Sequence, residues 1–563
     1  MTEVPEPASR PGGRDRSRTS DSATSSMGPA QGRRILTAAV LGVALAALVV
    51  AAAASLRWRY TRDSPLMAYT GFLVDNGAVP YRDFWDMNLP GTYAVMALMG
   101  KVFGWSDLGF RAFDLILLAA LSVITFWWVR PSGRLAAACA ALAFPLYYLS
   151  AGPYVSMQRE YIALVPFAVA PVLAVGFPGR RLVLRGLLVG LLTAATVLVK
   201  PNFVILGLPA MAVLFREAAR SGCRSRLVTA AAAGLLAPVA VTSAWLSAVG
   251  ALRPFLDIAT NFWPMYAYMA GAIEPIHGLA RVYYIGRSVS NGLVSSLLPW
   301  ALLGILSIRR VPGLKPQMPV LCGLVILSAI YPALSGQLLS YHWLPFHYIV
   351  LCAALLAIRL PRPERPSPVA LAPWLAALTL LLVLSTMSLL RAVGESGPRE
   401  HSMPDEVAGF LTKRLRPGET VQPLDNVDGA VHGLLIARAR LATRFLYDFN
   451  FYHHTDRPCV QRLRREFMAE LSDASPALII DVLGSSLHRW PKGANTTREF
   501  PELEKYITDN YEVVLQQKAF RILEAKHRRV EPSVVQVTAA LRYCAKVADR
   551  EWSGPMVCTC YLV

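Results

Sequence analysis

Long apolar runs alternate with short polar segments over most of this chain. The run ILTAAVLGVALAALVVAAAASL (residues 35–56) carries no charge, and about 20 such residues let a helix cross the hydrocarbon core of a bilayer. Further runs predict spans at 108–129, 134–150, 160–177, 183–199, 202–215, 227–249, 292–308, 318–334, 345–360 and 368–390. A shorter run at 92–104 fits an interfacial helix. The pattern predicts an all-α polytopic transmembrane bundle of about eleven spans over residues 35–390.

The two ends of the chain lack this pattern. Residues 1–34 are rich in Ser, Pro, Gly and Arg, a composition that predicts a disordered tail. Residues 391–563 contain a buried-strand signal, ALIIDVL (477–483), after an amphipathic-helix signal, DRPCVQRLRREFMAELSD. These two signals predict a separate soluble α/β domain.

Composition supports the membrane assignment, and the distribution of charge predicts the orientation of the chain in the membrane. Apolar residues make up 54% of the chain and charged residues 17%, below the roughly 25% of soluble domains. The net charge is +19, and it concentrates in short loops between the apolar runs: PGRRLVLR, REAARSGCRSR, SIRRVPGLK and RLPRPERP. This is the pattern of cytoplasmic loops, so the expected partners of the charge are anionic lipid headgroups rather than nucleic acid.

The same rule predicts which segments face outwards. With the basic loops inside, the outer segments are 57–91, 151–159, 250–291, 335–344 and the domain after residue 391. We therefore predict a multi-pass protein of the cell (inner) membrane with a cytoplasmic N-terminus and an extracytoplasmic C-terminal domain.

Candidate chemistry begins in the first outer loop, residues 57–91. Asp63 follows the first span, and VPYRDFWDMNLPGTY brings Arg82, Asp83 and Asp86 among aromatic residues. The carboxylates could accept a proton or bind a sugar hydroxyl, and the guanidinium suits a phosphate. The competing interpretation is an aromatic belt with solvated loop charges.

Three other outer segments carry polar residues. QRE supplies Arg159 and Glu160, KPN supplies Lys200 at a tight helical hairpin, and SYHWLP supplies Tyr341 and His342. Each alone has a structural alternative: a solvated ion pair, a snorkelling lysine or a belt histidine. Together, cations and carboxylates on one face of a bundle suit a reaction that releases an anionic leaving group. A lipid-linked sugar phosphate fits these requirements.

These residues, in this order, resemble the GT-C polytopic glycosyltransferases. The likeness is to bacterial members of the ArnT-like and protein O-mannosyltransferase-like superfamily, including the Rgt-like group. It covers residues 35–360 and rests on an acid after the first span, PYRDFWD, QRE, KPN and YHWLP. The resemblance implies a polyprenyl-phosphate-sugar donor and sugar transfer at the outer face of the membrane, with inversion. The acceptor stays open among lipid, polysaccharide and protein.

The resemblance also implies roles for residues. Asp63 matches the catalytic or acceptor-orienting acid, and Lys200 a lysine that contacts the donor phosphate. Asn88 stands where relatives often carry a phosphate-binding lysine. The implied substrate-binding set is Arg82, Asp83, Asp86, Asn88, Arg159, Glu160, Lys200, Tyr341 and His342.

Other functions and a metal stay open at this point. A transporter or flippase of lipid-linked sugars is the alternative, although no internal repeat is visible and most charges sit at loop ends. A catalytically inactive scaffold is a third option. The spacing of Asp83 and Asp86 is compatible with a divalent metal but not specific for one, and we expect no obligatory metal or cofactor.

Overall fold

The computed structural model describes most of the chain. The described residues are 29–177, 181–267, 278–290, 292–310, 314–315, 317–335, 339–356, 358, 368–395, 402–425, 427–452, 454–483, 499–526 and 528. Of the predicted tail 1–34, residues 1–28 lie outside them, as does the end of the predicted C-terminal domain. Residues 29–34 are helical, so the prediction of disorder is wrong there.

A helical bundle comes first in the chain. Its helices are α1 (Pro29–Ser55), α2 (Asp63–Asp75), α3 (Pro90–Phe103), α4 (Asp107–Val129), α5 (Arg134–Ala151), α6 (Arg159–Gly176), α7 (Leu182–Val199), α8 (Val204–Arg220), α9 (Arg224–Ala248), α10 (Leu252–Asp257), α11 (Trp263–Ala267), α12 (Gly278–Ser290), α13 (Leu298–Ser307), α14 (Gln317–Ser335), α15 (Leu344–Leu355) and α16 (Pro368–Gly394). The predicted all-α bundle is confirmed.

The number of span-length helices is slightly lower than predicted. Within the described ranges, nine helices are long and apolar enough to cross a membrane, and α12 with α13, which meet at 78°, would make a tenth. The predicted span 345–360 contains α15, whose 12 residues extend about 18 Å, short of a bilayer core of about 30 Å. By length and composition of its helices, this chain is a multi-pass membrane protein.

Close packing of α7 against α9 depends on glycines. A Cβ at Gly190 would lie 2.3 Å from the Ala231 carbonyl oxygen, and one at Gly234 would lie 2.2 Å from the Leu187 carbonyl oxygen. Small residues let helix backbones approach in lipid, where packing rather than hydrophobic burial drives association. This contact holds α7, the helix that directly precedes Lys200, against α9.

The buried charges of α4 are fully paired. Arg111 and Asp114 form an ion pair with no exposed side-chain surface. Arg111 also donates to the Ser55 hydroxyl at 2.8 Å, and Tyr148 donates to Asp114 at 2.6 Å. This pairing gives the two residues a structural role.

The C-terminal domain has the predicted α/β character. It contains α17 (Met403–Arg414), α18 (Ala430–Ala437), α19 (Pro458–Ala474), α20 (Pro501–Asn510) and the strands β1 (Thr420–Leu424), β2 (Arg440–Leu441), β3 (Leu478–Val482), β4 (Tyr511–Gln516) and β5 (Phe520–Ala525). The strands form one sheet in the order β2-β1-β3-β5-β4. Strand β1 is parallel to β2 and β3, whereas β5 is antiparallel to its neighbours.

This domain is docked on the end of the bundle that carries the loop after α1. Arg59 forms an ion pair with Asp405 at 2.6 Å. The Tyr69 hydroxyl of α2 donates to the Ala439 carbonyl at 2.7 Å. The backbone N–H of Trp85 donates to the Arg444 carbonyl at 2.6 Å. The domain therefore contacts the predicted first outer loop, residues 57–91, in which the sequence analysis placed candidate catalytic and binding residues.

Candidate functional site

A cavity of about 240 Å³ lies at this end of the bundle. Six separate parts of the chain meet around it: the loop before α3, the start of α6, the α7–α8 hairpin, α11, the end of α14 and the segment before α15. Its lining residues are Met87, Asn88, Leu89, Arg159, Val199, Lys200, Pro201, Asn202, Trp263, Tyr266, Leu334, Tyr341 and His342. Five of the predicted binding residues thus share one cavity: Asn88, Arg159, Lys200, Tyr341 and His342.

A buried ion pair forms the floor of the site. Lys200 Nζ lies 2.8 Å from Glu160 Oε1, with side-chain exposures of 9% and 0%. Pro201 follows Lys200 and starts a short 3₁₀ turn, which ends α7 and fixes the lysine at the hairpin. Tyr331 donates to Glu160 Oε1 at 3.3 Å. Glu160 Oε2 is buried and has no hydrogen-bond partner among the residues that the structure describes, so within them this carboxylate is held mainly through Oε1.

His342 faces the same carboxylate in a defined tautomer. The Leu339 N–H donates to His342 Nδ1 at 3.2 Å, so the proton of the neutral ring is on Nε2. Nε2 lies 3.5 Å from Glu160 Oε1. Burial lowers the pKa of His342 to about 3, and the imidazole therefore faces Glu160 as a neutral group rather than as a cation.

Arg159 is held differently from Lys200. Its guanidinium donates to the Asn88 side-chain oxygen, and the Asn88 amide nitrogen donates to Asp86 Oδ2 at 2.8 Å. Arg159 starts α6 and lines the cavity. No carboxylate oxygen within the described ranges lies within 4.0 Å of it. Its nearest hydrogen-bonding partner is a neutral amide.

Asp63 reaches the cavity through Tyr341. The Tyr341 hydroxyl donates to Asp63 Oδ2 at 2.8 Å, and Tyr341 itself lines the cavity. Asp63 is the first residue of α2 and is half-buried, where the helix dipole favours a negative charge. The carboxylate is thus oriented at the edge of the site and keeps some access to solvent.

Arg82 and Asp83 lie outside this cavity. Arg82 Nε donates to Asp83 Oδ1 at 2.7 Å, and the two side chains are 49% and 35% exposed. The Val79 N–H also donates to Asp83, and hydrogen bonding to Arg82 lowers the pKa of this carboxyl. Both residues line a separate groove of about 1320 Å³ between the loop and the C-terminal domain.

The structure adds residues that the sequence did not single out. Tyr331 contacts Glu160, and Trp263 and Tyr266 line the cavity. Trp263 and Tyr266 belong to the predicted outer segment 250–291, so the rule that selected the other loops would have found them. Tyr447, in the C-terminal domain, donates to Asp86 at 3.4 Å. No local pattern in the sequence connects Tyr447 with a loop so far away along the chain.

A metal-binding constellation is not present among the residues that the structure describes, since no three His, Cys, Asp or Glu side chains converge there. The carboxylates of Asp83 and Asp86, which the sequence spaces three apart, have different environments. Asp83 is half-exposed and paired with Arg82, whereas Asp86 is 1% exposed.

Comparisons with known proteins identify the fold. No family model matches this sequence, and no curated protein matches it. The solved structures of ArnT from Cupriavidus metallidurans do match. The one bound to undecaprenyl phosphate is 14% identical, with a TM-score of 0.55, over 87% of this chain and 98% of ArnT. The apo structure is 13% identical, with a TM-score of 0.55, over 88% and 98%. The chain has the fold of these ArnT structures, which is the fold that the resemblance implied.

Proposed function

We propose that this chain is an integral-membrane glycosyltransferase that moves a sugar from a polyprenyl-phosphate donor to an envelope acceptor. The carrying observation is a single cavity at which the cations Arg159 and Lys200 meet Tyr341, the residue that holds Asp63. The shared fold with ArnT, which was solved with undecaprenyl phosphate, supports this class of donor.

Arg159 is the proposed main ligand of the donor phosphate. Lys200 is already neutralised by Glu160 at 2.8 Å, and Arg82 is paired with Asp83 away from the cavity. Among the described residues, the direct side-chain hydrogen bond of Arg159 is to the neutral amide of Asn88, while the carboxylates of Glu160 and Asp63 act on it from further away. Its charge is therefore the least directly compensated of the three. A guanidinium in a low-dielectric cavity can stabilise the negative charge that develops on a departing phosphate. Lys200 supports it from the floor of the site.

Asp63 is the proposed catalytic acid–base residue. As a carboxylate it would bind the attacking hydroxyl of the acceptor and take its proton as the new glycosidic bond forms. Tyr341 keeps the carboxylate aimed at the cavity by donating to one of its oxygens. Attack on the sugar carbon from the face opposite the departing phosphate would break the carbon–oxygen bond to the phosphate with inversion, the outcome that the resemblance implies.

The remaining lining suits a lipid-linked donor. Leu89, Val199, Trp263 and Leu334 give the cavity an apolar side, against which an isoprenyl chain can lie. The basic loops lie at the opposite ends of the helices that meet here. By the positive-inside rule the site then faces the outside of the cell membrane. No step in this proposal uses an obligatory metal, and the acceptor is a lipid, polysaccharide or protein of the envelope.

The decisive experiment replaces Asp63. Asp63→Asn is expected to lower sugar transfer by about a hundredfold or more, because it removes a general base while keeping the shape of the side chain. Transfer is measured by mass spectrometry of envelope glycans and glycolipids from cells that carry or lack the chain, complemented with each variant. Asp75→Asn, at the other end of the same helix, half-buried and paired with Lys101 at 3.2 Å, is the matched control.

Two results would overturn the proposal. One is an envelope glycan profile that does not change when the chain is removed. The other is full complementation by Asp63→Asn at equal protein level, which would leave the site without its proposed base.

A further inference from the structure

In the part of the chain that the structure describes, the C-terminal domain contacts Trp85 and Asp86 through the segment Arg444–Tyr447. The backbone N–H of Trp85 donates to the Arg444 carbonyl at 2.6 Å. The Trp85 ring stacks on Phe445, with centroids 6.5 Å apart, and meets Tyr447 edge-on at 6.0 Å. This segment therefore fixes the backbone of the loop one residue before Asp86.

Asp86 is a buried carboxylate with four hydrogen-bond donors. They are the Met87 N–H at 2.7 Å, the Asn88 amide at 2.8 Å, the Tyr93 hydroxyl at 3.1 Å and the Tyr447 hydroxyl at 3.4 Å. Burial raises the pKa of Asp86, and the Asn88 amide, Arg159, the Tyr93 hydroxyl and the Met87 N–H oppose that rise. Burial also raises the pKa of Tyr447, so its phenol keeps the proton that it donates.

The position of Asp86 determines which way Asn88 faces. Because the Asn88 nitrogen donates to Asp86, its oxygen must point the other way, and there it accepts from Arg159. The Tyr81 hydroxyl donates to the Asn88 carbonyl at 2.6 Å, and the Tyr93 hydroxyl, whose single proton is shared between this oxygen and Asp86, lies 2.9 Å from it. The backbone and side chain of Asn88 are thus both held, and its amide has one orientation.

The amide has a physical advantage over a direct ion pair. A carboxylate in contact with Arg159 would orient the guanidinium but also neutralise it, as Glu160 does for Lys200. An amide between Asp86 and Arg159 transmits the orientation and leaves the positive charge available to a phosphate. The asparagine found where relatives often carry a lysine has a function in this arrangement.

We infer that Tyr447, Asp86 and Asn88 are positioning residues for Arg159, and that the C-terminal domain is thereby part of the donor site. This inference rests on the proposed function, in which Arg159 binds the donor phosphate. Tyr447 is not among the residues that line the cavity. The inference predicts that its hydroxyl affects binding of the lipid phosphate but not binding of the isoprenyl chain.

The test removes that hydroxyl alone. Tyr447→Phe in the purified full chain should weaken binding of undecaprenyl phosphate by about threefold to tenfold, the usual size of coupling through one intermediate group. Binding of undecaprenol, which has the same chain without the phosphate, should not change. The matched control is Tyr511→Phe, which removes another buried hydroxyl of the same domain, bonded to the Pro476 carbonyl at 2.9 Å. It should leave both affinities at the wild-type value.

A double-mutant cycle separates positioning from general damage. In the Arg159→Gln background, Tyr447→Phe should have no further effect on undecaprenyl phosphate binding, because the guanidinium that it positions is absent. Equal losses for phosphate and alcohol, or additive effects in the cycle, would overturn the inference. If Arg159→Gln itself left phosphate binding unchanged, the phosphate assignment of the proposed function would fail instead.

Discussion

Two carboxylate–cation pairs, Arg82–Asp83 and Glu160–Lys200, show how differently similar residues can be used in one molecule. Both come from predicted outer segments, and both have contacts of 2.7–2.8 Å. The first joins chain neighbours whose side chains are 49% and 35% exposed. The second joins residues of two different helical elements, with exposures of 0% and 9%, and it borders the cavity.

The difference lies in solvation rather than in residue type. Water screens the exposed pair and would replace its contacts if one partner were removed. The buried pair has no such replacement, so each charge depends on the other. The buried pair therefore has to stay intact for the site to keep its shape, whereas the exposed pair stabilises the loop only weakly.

The largest expected effect that separates the two pairs is on stability. Glu160→Gln should lower the free energy of unfolding by about 3–5 kcal/mol, because it leaves the Lys200 ammonium buried without its counter-charge. Asp83→Asn should cost less than about 1 kcal/mol, since its pair is screened. Unfolding of the detergent-purified variants, followed by intrinsic fluorescence, measures both. Equal losses would remove the distinction between the pairs.

The next effect is on ligand affinity. Arg159→Gln should weaken binding of undecaprenyl phosphate by about tenfold to a hundredfold, the value of a charge-assisted hydrogen bond in a closed site. Arg82→Gln should change it by less than about twofold, because this guanidinium is solvated and outside the cavity. Native mass spectrometry of the two variants gives the affinities. A larger loss for Arg82→Gln would move the phosphate site to the groove beside the C-terminal domain.

The smallest effect is a difference in pH dependence between Asp83 and Asp86. The pKa of Asp83 is lowered by Arg82, so its charge stabilises the fold above the ordinary value of 3.8 and this contribution disappears as the pH falls below about 4. The pKa of Asp86 is raised by burial, so its favourable contribution is complete below 3.8 and is lost as the pH rises through the raised value.

The two asparagine variants should therefore diverge with pH. The stability deficit of Asp83→Asn relative to wild type should grow from pH 3 to pH 6, and that of Asp86→Asn should shrink over the same range. Thermal unfolding at a series of pH values is the measurement. Parallel pH profiles would mean that the two carboxyls share one environment.

Local sequence patterns predicted much of this molecule. Apolar runs such as 35–56 gave the helices, because a span needs only length and hydrophobicity. The segment ALIIDVL gave a strand of the C-terminal sheet, and β3 (Leu478–Val482) confirms it. The pattern was less informative for 345–360, where the apolar run is longer than the helix Leu344–Leu355 that it forms.

The predicted membrane topology identified the polar residues of the candidate site, and tertiary packing separates those that line the cavity from those that do not. The positive-inside rule placed Asn88, Arg159, Lys200 and Tyr341 on one side of the membrane, and the structure brings them to one cavity. The rule could not separate them from Arg82, because it reports a side and not a depth. The catalytic and binding roles of all these residues stay predictions that the experiments above address.

The sequence by itself determined the class of the protein, its membrane helices and the set of polar residues at one face, because these follow from local hydrophobicity and charge. Only the tertiary structure decided which charges are buried, which are paired and which residue of the distant domain approaches them. Burial and pairing depend on contacts such as those of Lys200 with Glu160 and of Tyr447 with Asp86. Such contacts join residues far apart along the chain, and no local pattern encodes them.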